Sequence, residues 1–224
     1  MIVGIPTEIK TNENRISMTP AGVSVLTHLD HKVVVQHEAG MGSGFTDDEY
    51  IEAGAEIATD AAKVFEQADM IVKVKEPQPS EYDLLKPNRL LFTYLHLASS
   101  IDLTKELLER KVTGVAYETV QLENGSLPLL IPMSRIAGRL SVQVGAELLL
   151  KYNGGRGVLL GGSPGVEPAK VLIIGGGTVG SAAARIAVGF GAKTTVMDIN
   201  PNTLTRIDEY YSGRVNTLFS NKYE

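Results

Sequence analysis

The most constraining feature of this sequence is the run Gly175-Gly176-Gly177-Thr178-Val179-Gly180, because of what flanks it. A short apolar run, Lys170 to Ile174, precedes it, and the Ala-rich stretch Thr178 to Val188 follows. A second β-branched run, Thr194 to Met197, then leads to Asp198. A lone G-x-G-x-x-G pattern is weak, but between a buried strand and a helix, with an acid closing the next strand, it describes a dinucleotide-binding turn. Gly175 permits the tight turn, Gly177 lets backbone approach a pyrophosphate, and Gly180 lets helix and strand pack closely. The helix start offers free N–H groups to phosphates. Asp198 would accept hydrogen bonds from the adenosine ribose and repel a 2′-phosphate, which favours NAD over NADP. The competing interpretation is an ordinary glycine-rich turn, with Asp198 as a helix cap.

The rest of the chain supports an α/β class. Short β-branched or Leu-rich runs recur at Met1 to Ile5, Lys32 to Gln36, Met70 to Val74, Arg89 to Leu95 and Val112 to Tyr117. Between them lie helical patterns with start signals. Thr19-Pro20 opens Ala21 to Leu29, Thr46 precedes the acids Asp47, Asp48 and Glu49, Asp60 opens Ala61 to Gln67, and Ser100 precedes Leu103 to Arg110. Strands alternating with helices of this length imply βαβ units and a parallel sheet. Residues 1–130 are therefore expected to form one domain. Residues 131–168 read as a connector: a long helix, Ser134 to Tyr152, after the punctuation of Pro128 and Pro132, then a loop rich in Gly and Pro. Residues 169–224 read as the N-terminal part of a dinucleotide-binding domain, with helix Asn202 to Tyr210 and a third strand starting at Val215.

Composition excludes other classes. With 224 residues, 43% of them hydrophobic, a net charge of −5 and no basic run, the chain is globular material with no nucleic-acid footprint. It has no cysteine, hence no disulfide, thiolate metal site or Cys nucleophile. Apolar runs are far shorter than the roughly 20 residues that cross a bilayer. No metal site and no membrane partner are expected, and a cytoplasmic address fits.

In an open parallel sheet, ligands bind beyond the carboxyl ends of the strands. That rule selects Arg15 after the first strand, Lys75 after Met70 to Val74, and His96 after Leu90 to Leu95. Together they offer a fixed positive charge for a carboxylate, a second cation to polarise a carbonyl, and an imidazole that exchanges protons near neutral pH. Blander interpretations exist: His96 as a hydrogen-bonded structural residue, Arg15 in a surface ion pair with Glu13, and one of Lys73 and Lys75 on a solvated strand face. His28, His31 and His37 lack metal-ligand spacing and read as structural.

These motifs, taken in order, resemble the NAD-dependent L-alanine dehydrogenase family, which is related to the soluble alpha subunit of proton-translocating transhydrogenase. The resemblance spans essentially the whole chain. Its carriers are Gly4-Ile5-Pro6, Glu8-Ile9-Lys10, Asn14-Arg15, Val74-Lys75-Glu76-Pro77, Tyr94-Leu95-His96-Leu97, Gly155 to Gly162, Pro164-Gly165-Val166, and the glycine loop with Asp198. It implies a Rossmann-like N-terminal substrate domain plus an incomplete doubly wound dinucleotide-binding domain. It implies that Arg15 and Lys75 bind the substrate carboxylate and carbonyl, that His96 is the acid/base, and that Ser134, Thr178, Val179, Asp198 and Ser220 join Gly175, Gly177 and Gly180 around the cofactor.

The implied reaction is the reversible oxidative deamination of L-alanine to pyruvate and ammonium, with a site expected at the mouth of the cleft between the domains. The family also implies a homohexamer. Two departures stand out. Thr203 occupies a position where the family often has Lys or Arg, and family members run well beyond 300 residues, so the sequence reads as a truncated or excised form. The alternatives are a transhydrogenase-like NAD(H)-binding subunit and a non-catalytic NAD-binding remnant.

Overall fold

The protein, described here by a computed structural model over residues 1–221, divides into two compact units, Met1–Leu127 and Pro128–Glu224. In the first, six strands pair in parallel: β1 (Ile2–Ile5), β2 (Lys32–Gln36), β3 (Glu56–Ala58), β4 (Met70–Val72), β5 (Leu90–Thr93) and β6 (Thr113–Ala116). Their order is β3-β2-β1-β4-β5-β6, the arrangement of doubly wound nucleotide-binding folds. Alternation along β2 shows how both faces are used. Val34 joins a core with Val64, Phe65, Leu91 and Leu103, whereas Val33 and Val35 join Ile5, Val23 and Tyr50. Helices cover the two faces: α1 (Pro20–His28) and α2 (Asp47–Glu52) supply Val23 and Tyr50 to the second cluster, while α3 (Ala61–Gln67) and α4 (Ile101–Glu109) supply the first.

The start signals act as the residue types dictate. Thr19, Thr46, Asp60 and Ser100 each accept a backbone N–H from the first turn, and Glu49 completes a capping box with Thr46. Strands β4 and β5 are shorter than their apolar runs, which continue into the loops that carry Lys75 and His96. Strand β3 was not anticipated: three residues at a sheet edge are too few to show a period.

Of the alternating pair Lys73 and Lys75, Lys73 is fully buried: its ammonium lies 2.8 Å from Glu81 Oε1 and 3.4 Å from Glu8 Oε2. Glu8 in turn accepts the amides of Val74 at 2.5 Å and Lys75 at 3.3 Å. Burial pushes the Glu8 carboxyl above its ordinary value, although Lys73 and the two amides pull it back.

The second unit contains α5 (Ile131–Leu148), β7 (Lys170–Ile174), α6 (Thr178–Gly189), β8 (Lys193–Asp198), α7 (Pro201–Tyr211) and β9 (Val215–Phe219). Strands β7-β8-β9 form a parallel sheet, and Val142, Ala184, Ala187, Val196 and Ile207 share its core. The long helix differs from expectation: it begins at Ile131 and ends at Leu148, because Pro132 sits in its first turn, where a missing N–H costs nothing. It packs on α6 so closely that a Cβ at Gly138 would lie 2.1 Å from the Val179 carbonyl oxygen. Among the described residues, no helix is long and apolar enough to cross a membrane.

The buried Lys73 yields a direct test. Lys73→Met strands two buried carboxylates without their cation and is expected to lower the unfolding free energy by about 3–5 kcal/mol. Urea unfolding followed by circular dichroism measures it; a loss below about 1 kcal/mol would mean that the trio is not an ionic cluster.

Candidate functional site

In a doubly wound sheet the crevice opens where strand order reverses, which here is between β1 and β4. The loops leaving β1, β4 and its neighbour β5 carry Arg15, Lys75 and His96. All three strands are parallel, so the three residues share the carboxyl edge of the sheet. The Glu8 carboxylate spans this point, tying the loop after β1 to the amides of Val74 and Lys75.

Arg15 is held by Glu13: its Nε donates to Oε1 at 2.7 Å and a terminal nitrogen to Oε2 at 2.5 Å. The ion pair raised as an alternative is therefore present, yet nearly half of the Arg15 side chain stays exposed while Glu13 is almost covered. Hydrogen bonding to Arg15 holds the Glu13 carboxyl below the usual carboxylate range, with a further contribution from the positive charge of Lys75. Arg15 also acts electrostatically on Tyr94, which follows β5. Among the described residues the Lys75 ammonium forms no ion pair or hydrogen bond.

His96 adopts left-handed backbone, φ 49° and ψ 36°, and its N–H donates to Glu118 Oε1 at 2.8 Å. Glu118 Oε2 accepts the preceding amide of Leu95 at 3.4 Å, so one carboxylate fixes the turn that presents the ring. On the other side, His96 Nδ1 lies 3.5 Å from Glu76 Oε2, while Glu76 Oε1 accepts the Lys10 ammonium. Sequence reasoning missed Glu8, Glu76 and Glu118 as the groups that hold this edge. Glu8 and Glu76 lie within quoted motifs, but nothing in a strand-end rule reveals their partners. The other histidines lie elsewhere: His28 Nδ1 is 2.6 Å from the Ser24 carbonyl within α1, and His37 Nδ1 is 2.5 Å from Asp47. Among the described residues, no group of three or more His, Asp or Glu could hold a metal ion.

The glycine loop occupies the second unit. Gly175 has φ +96°, a conformation that side chains rarely adopt, and a Cβ at Gly180 would lie 1.8 Å from the Gly175 carbonyl oxygen. Gly177 caps α6 with open space where its Cβ would be. Thr178 and Val179 open the helix. A cavity of about 770 Å³ is lined by these residues together with Ser134 of α5 and the length of β7. Asp198 ends β8, its Oδ2 accepting the Gly176 amide at 2.6 Å and its Oδ1 the Asn200 amide at 2.8 Å. These donors hold its carboxyl below the usual range. Register places Asp198 opposite Phe219, and Ser220 donates its N–H to the Asp198 carbonyl at 3.0 Å. The structure thus gathers Ser134 with the glycine loop and Ser220 with Asp198. An anionic acceptor, open amides at a helix start and free space above Gly177 fit a dinucleotide.

Arg206 lies one turn beyond Thr203 along α7 and donates to the Gly176 carbonyl at 3.1 Å. Thr203 and Arg206 both line a cavity of about 510 Å³ that also touches Gly177 and Thr178. Helical spacing from Thr203 is the signal that would have found Arg206.

Residues 4–137 match the N-terminal domain of the family described as alanine dehydrogenase/PNT, and residues 141–224 match its C-terminal domain. An alanine dehydrogenase of Methanococcus maripaludis is 57% identical over 223 residues, covering 100% of this chain and 60% of its own length. One from Staphylococcus saprophyticus is 54% identical, covering 99% and 59%. A solved L-alanine dehydrogenase superposes with a TM-score of 0.94 at 51% identity, over 99% of this chain and 61% of that one. A transhydrogenase from Sinorhizobium meliloti shares the fold, with a TM-score of 0.79 at 24% identity, over 97% of this chain and 64% of that one. The chain thus spans about 60% of the length of the curated relatives it matches. On the strength of both domain matches and this identity along its whole length, the chain belongs to the alanine dehydrogenase/PNT family.

Proposed function

We propose that this chain carries the substrate-binding and dinucleotide-binding groups of an NAD-dependent L-alanine dehydrogenase. The reaction converts L-alanine, NAD⁺ and water into pyruvate, ammonium, NADH and a proton, and runs in both directions. The observation that carries this reading is that the loops leaving the carboxyl ends of three neighbouring strands beside the switch point carry Arg15, Lys75 and His96. Family membership and identity to proteins named alanine dehydrogenase support it. A cytoplasmic homo-oligomer is part of the same proposal.

The half-exposed guanidinium of Arg15 takes the substrate carboxylate, its planar fork matching two oxygens while Glu13 anchors its other side. The Lys75 ammonium faces the oxygen that water brings to the imine carbon and stabilises the negative charge that develops on it as the carbinolamine collapses. His96 takes the proton from that water at a ring nitrogen and returns one to the departing amine, which leaves as ammonia when the carbonyl forms. Gly175 and Gly180 shape the cradle in which the amides at the start of α6 hold the pyrophosphate. Asp198 and Ser220 meet the adenosine ribose, and Ser134 lines the cavity beside them. Bound NAD would supply the oxidant for the α-carbon–hydrogen bond.

Binding to this chain tests the assignments separately. Pyruvate titrated by calorimetry is expected to bind, and Arg15→Ala and Lys75→Ala each to weaken it about tenfold or more, the value of a charge-assisted hydrogen bond. An unchanged dissociation constant in either variant removes that residue from the substrate site.

NADH titrated by fluorescence is expected to lose affinity in Gly180→Ala, whose new methyl group collides with the Gly175 carbonyl, and in Asp198→Asn. The lowered Asp198 pKa keeps this acceptor ionised, so its contribution to NADH affinity is expected to stay flat from about pH 8 to about pH 5 and to fall only as acid protonates it. Alanine-dependent formation of NADH tests the activity itself. Turnover with another amino acid but not with alanine would overturn the substrate assignment.

A further inference from the structure

We propose that Glu76 is a positioning residue that fixes the tautomer of His96, so that Nδ1 carries the hydrogen and Nε2 is the nitrogen that exchanges protons; this rests on the acid/base reading of His96. The two oxygens of Glu76 have different surroundings. Oε1 accepts the Lys10 ammonium. Oε2 is buried and, among the described residues, accepts no hydrogen bond. A buried carboxylate oxygen without a donor is costly, and such groups are rare. The imidazole of His96 is a side-chain donor able to relieve it, its Nδ1 standing 3.5 Å away, a distance that a small ring rotation closes.

The backbone that carries the His96 ring is held in place. Its left-handed turn is pinned by the N–H donated to Glu118 Oε1, and its carbonyl accepts both the amide of Ser99 at 2.9 Å and the Ser99 hydroxyl at 2.8 Å. Glu118 holds the amides of Leu95 and His96 with its two oxygens, and among the described residues Glu76 is the carboxylate paired with a ring nitrogen of His96. The nitrogen that bears the proton in a neutral histidine is set by the hydrogen bond that the other makes. Here the acceptor sits at Nδ1, so Nε2 is left with a lone pair. When Nε2 takes a proton, the imidazolium keeps its Nδ1–H on Glu76, which then faces a full positive charge. Lys10 locks the far oxygen, and Tyr82 is the other titratable group that senses this carboxylate.

Long-range ¹H–¹⁵N correlation spectra of the chain labelled at histidine read the tautomer without any turnover. The His96 signal is assigned by its loss in His96→Gln. Neutral His96 is expected as the Nδ1–H form. In Glu76→Gln the single carbonyl oxygen is claimed by Lys10, which turns the amide NH₂ toward the ring as a donor, so the tautomer is expected to reverse to Nε2–H. In Glu76→Ala the Nδ1–H preference is expected to be lost. Unmoved signals of His28, His31 and His37 report that each variant is folded, and the near-isosteric Gln variant serves if the Ala variant is not.

A native Nε2–H form, or an Nδ1–H form that persists in folded Glu76→Gln, overturns the proposal. Pyruvate added to the same samples separates the two readings. A native Nδ1–H tautomer without pyruvate binding sinks the substrate assignment alone, whereas pyruvate binding with a tautomer indifferent to Glu76 sinks this proposal alone.

Discussion

The candidate substrate edge depends on one buried carboxylate. Glu8 leaves β1, crosses the point where strand order reverses, and accepts the amides of Val74 and Lys75, 66 and 67 positions away. A carboxylate that deep needs a counter-charge, and Lys73 supplies it from a strand position where alternation predicts either face. Glu81 shares the ammonium, so a single cation serves two acids, and burial raises the Glu8 carboxyl while Lys73 pulls it back. The clasp fixes the start of the loop that leads to Arg15 and the backbone of Lys75 in one frame. Pre-set geometry of this kind is what a site needs to orient a small carboxylate.

A second layer of acids works in the same way further out. Glu13 holds Arg15, Glu118 holds the turn of His96, and Glu76 lies against its ring. The groups offered to a ligand are cations and an imidazole, and the groups behind them are carboxylates, which is the charge order that suits an anionic substrate. In the second unit the support comes from backbone. Amides of Gly176 and Asn200 fix Asp198, and the fit of Gly180 under the Gly175 carbonyl shapes the turn.

Much of this architecture is legible in sequence because it follows from local rules. Caps at Thr19, Thr46, Asp60 and Ser100, alternation in Lys32–Gln36 and the glycine loop before an Ala-rich helix each depend on neighbours within a few residues. The strand-end rule finds Arg15, Lys75 and His96, since it needs only the order of elements. It cannot find Glu8 or the burial of Lys73, whose meaning arises from pairing across the switch point. Strand β3 escapes for want of length, and the start of α5 is misplaced because Pro132 reads as a stop when it is a first-turn residue. Arg206 goes unnoticed because attention falls on the substituted position, Thr203, and not on the next turn of the same helix.

The central claim is that the loops after β1, β4 and β5 form one anion-binding edge at the switch point. A crystal structure of the chain with pyruvate tests it most directly. The account requires the carboxylate on the Arg15 guanidinium and the keto oxygen within reach of the Lys75 ammonium, with the His96 ring alongside. Pyruvate seated anywhere else, with those three side chains untouched, would contradict it.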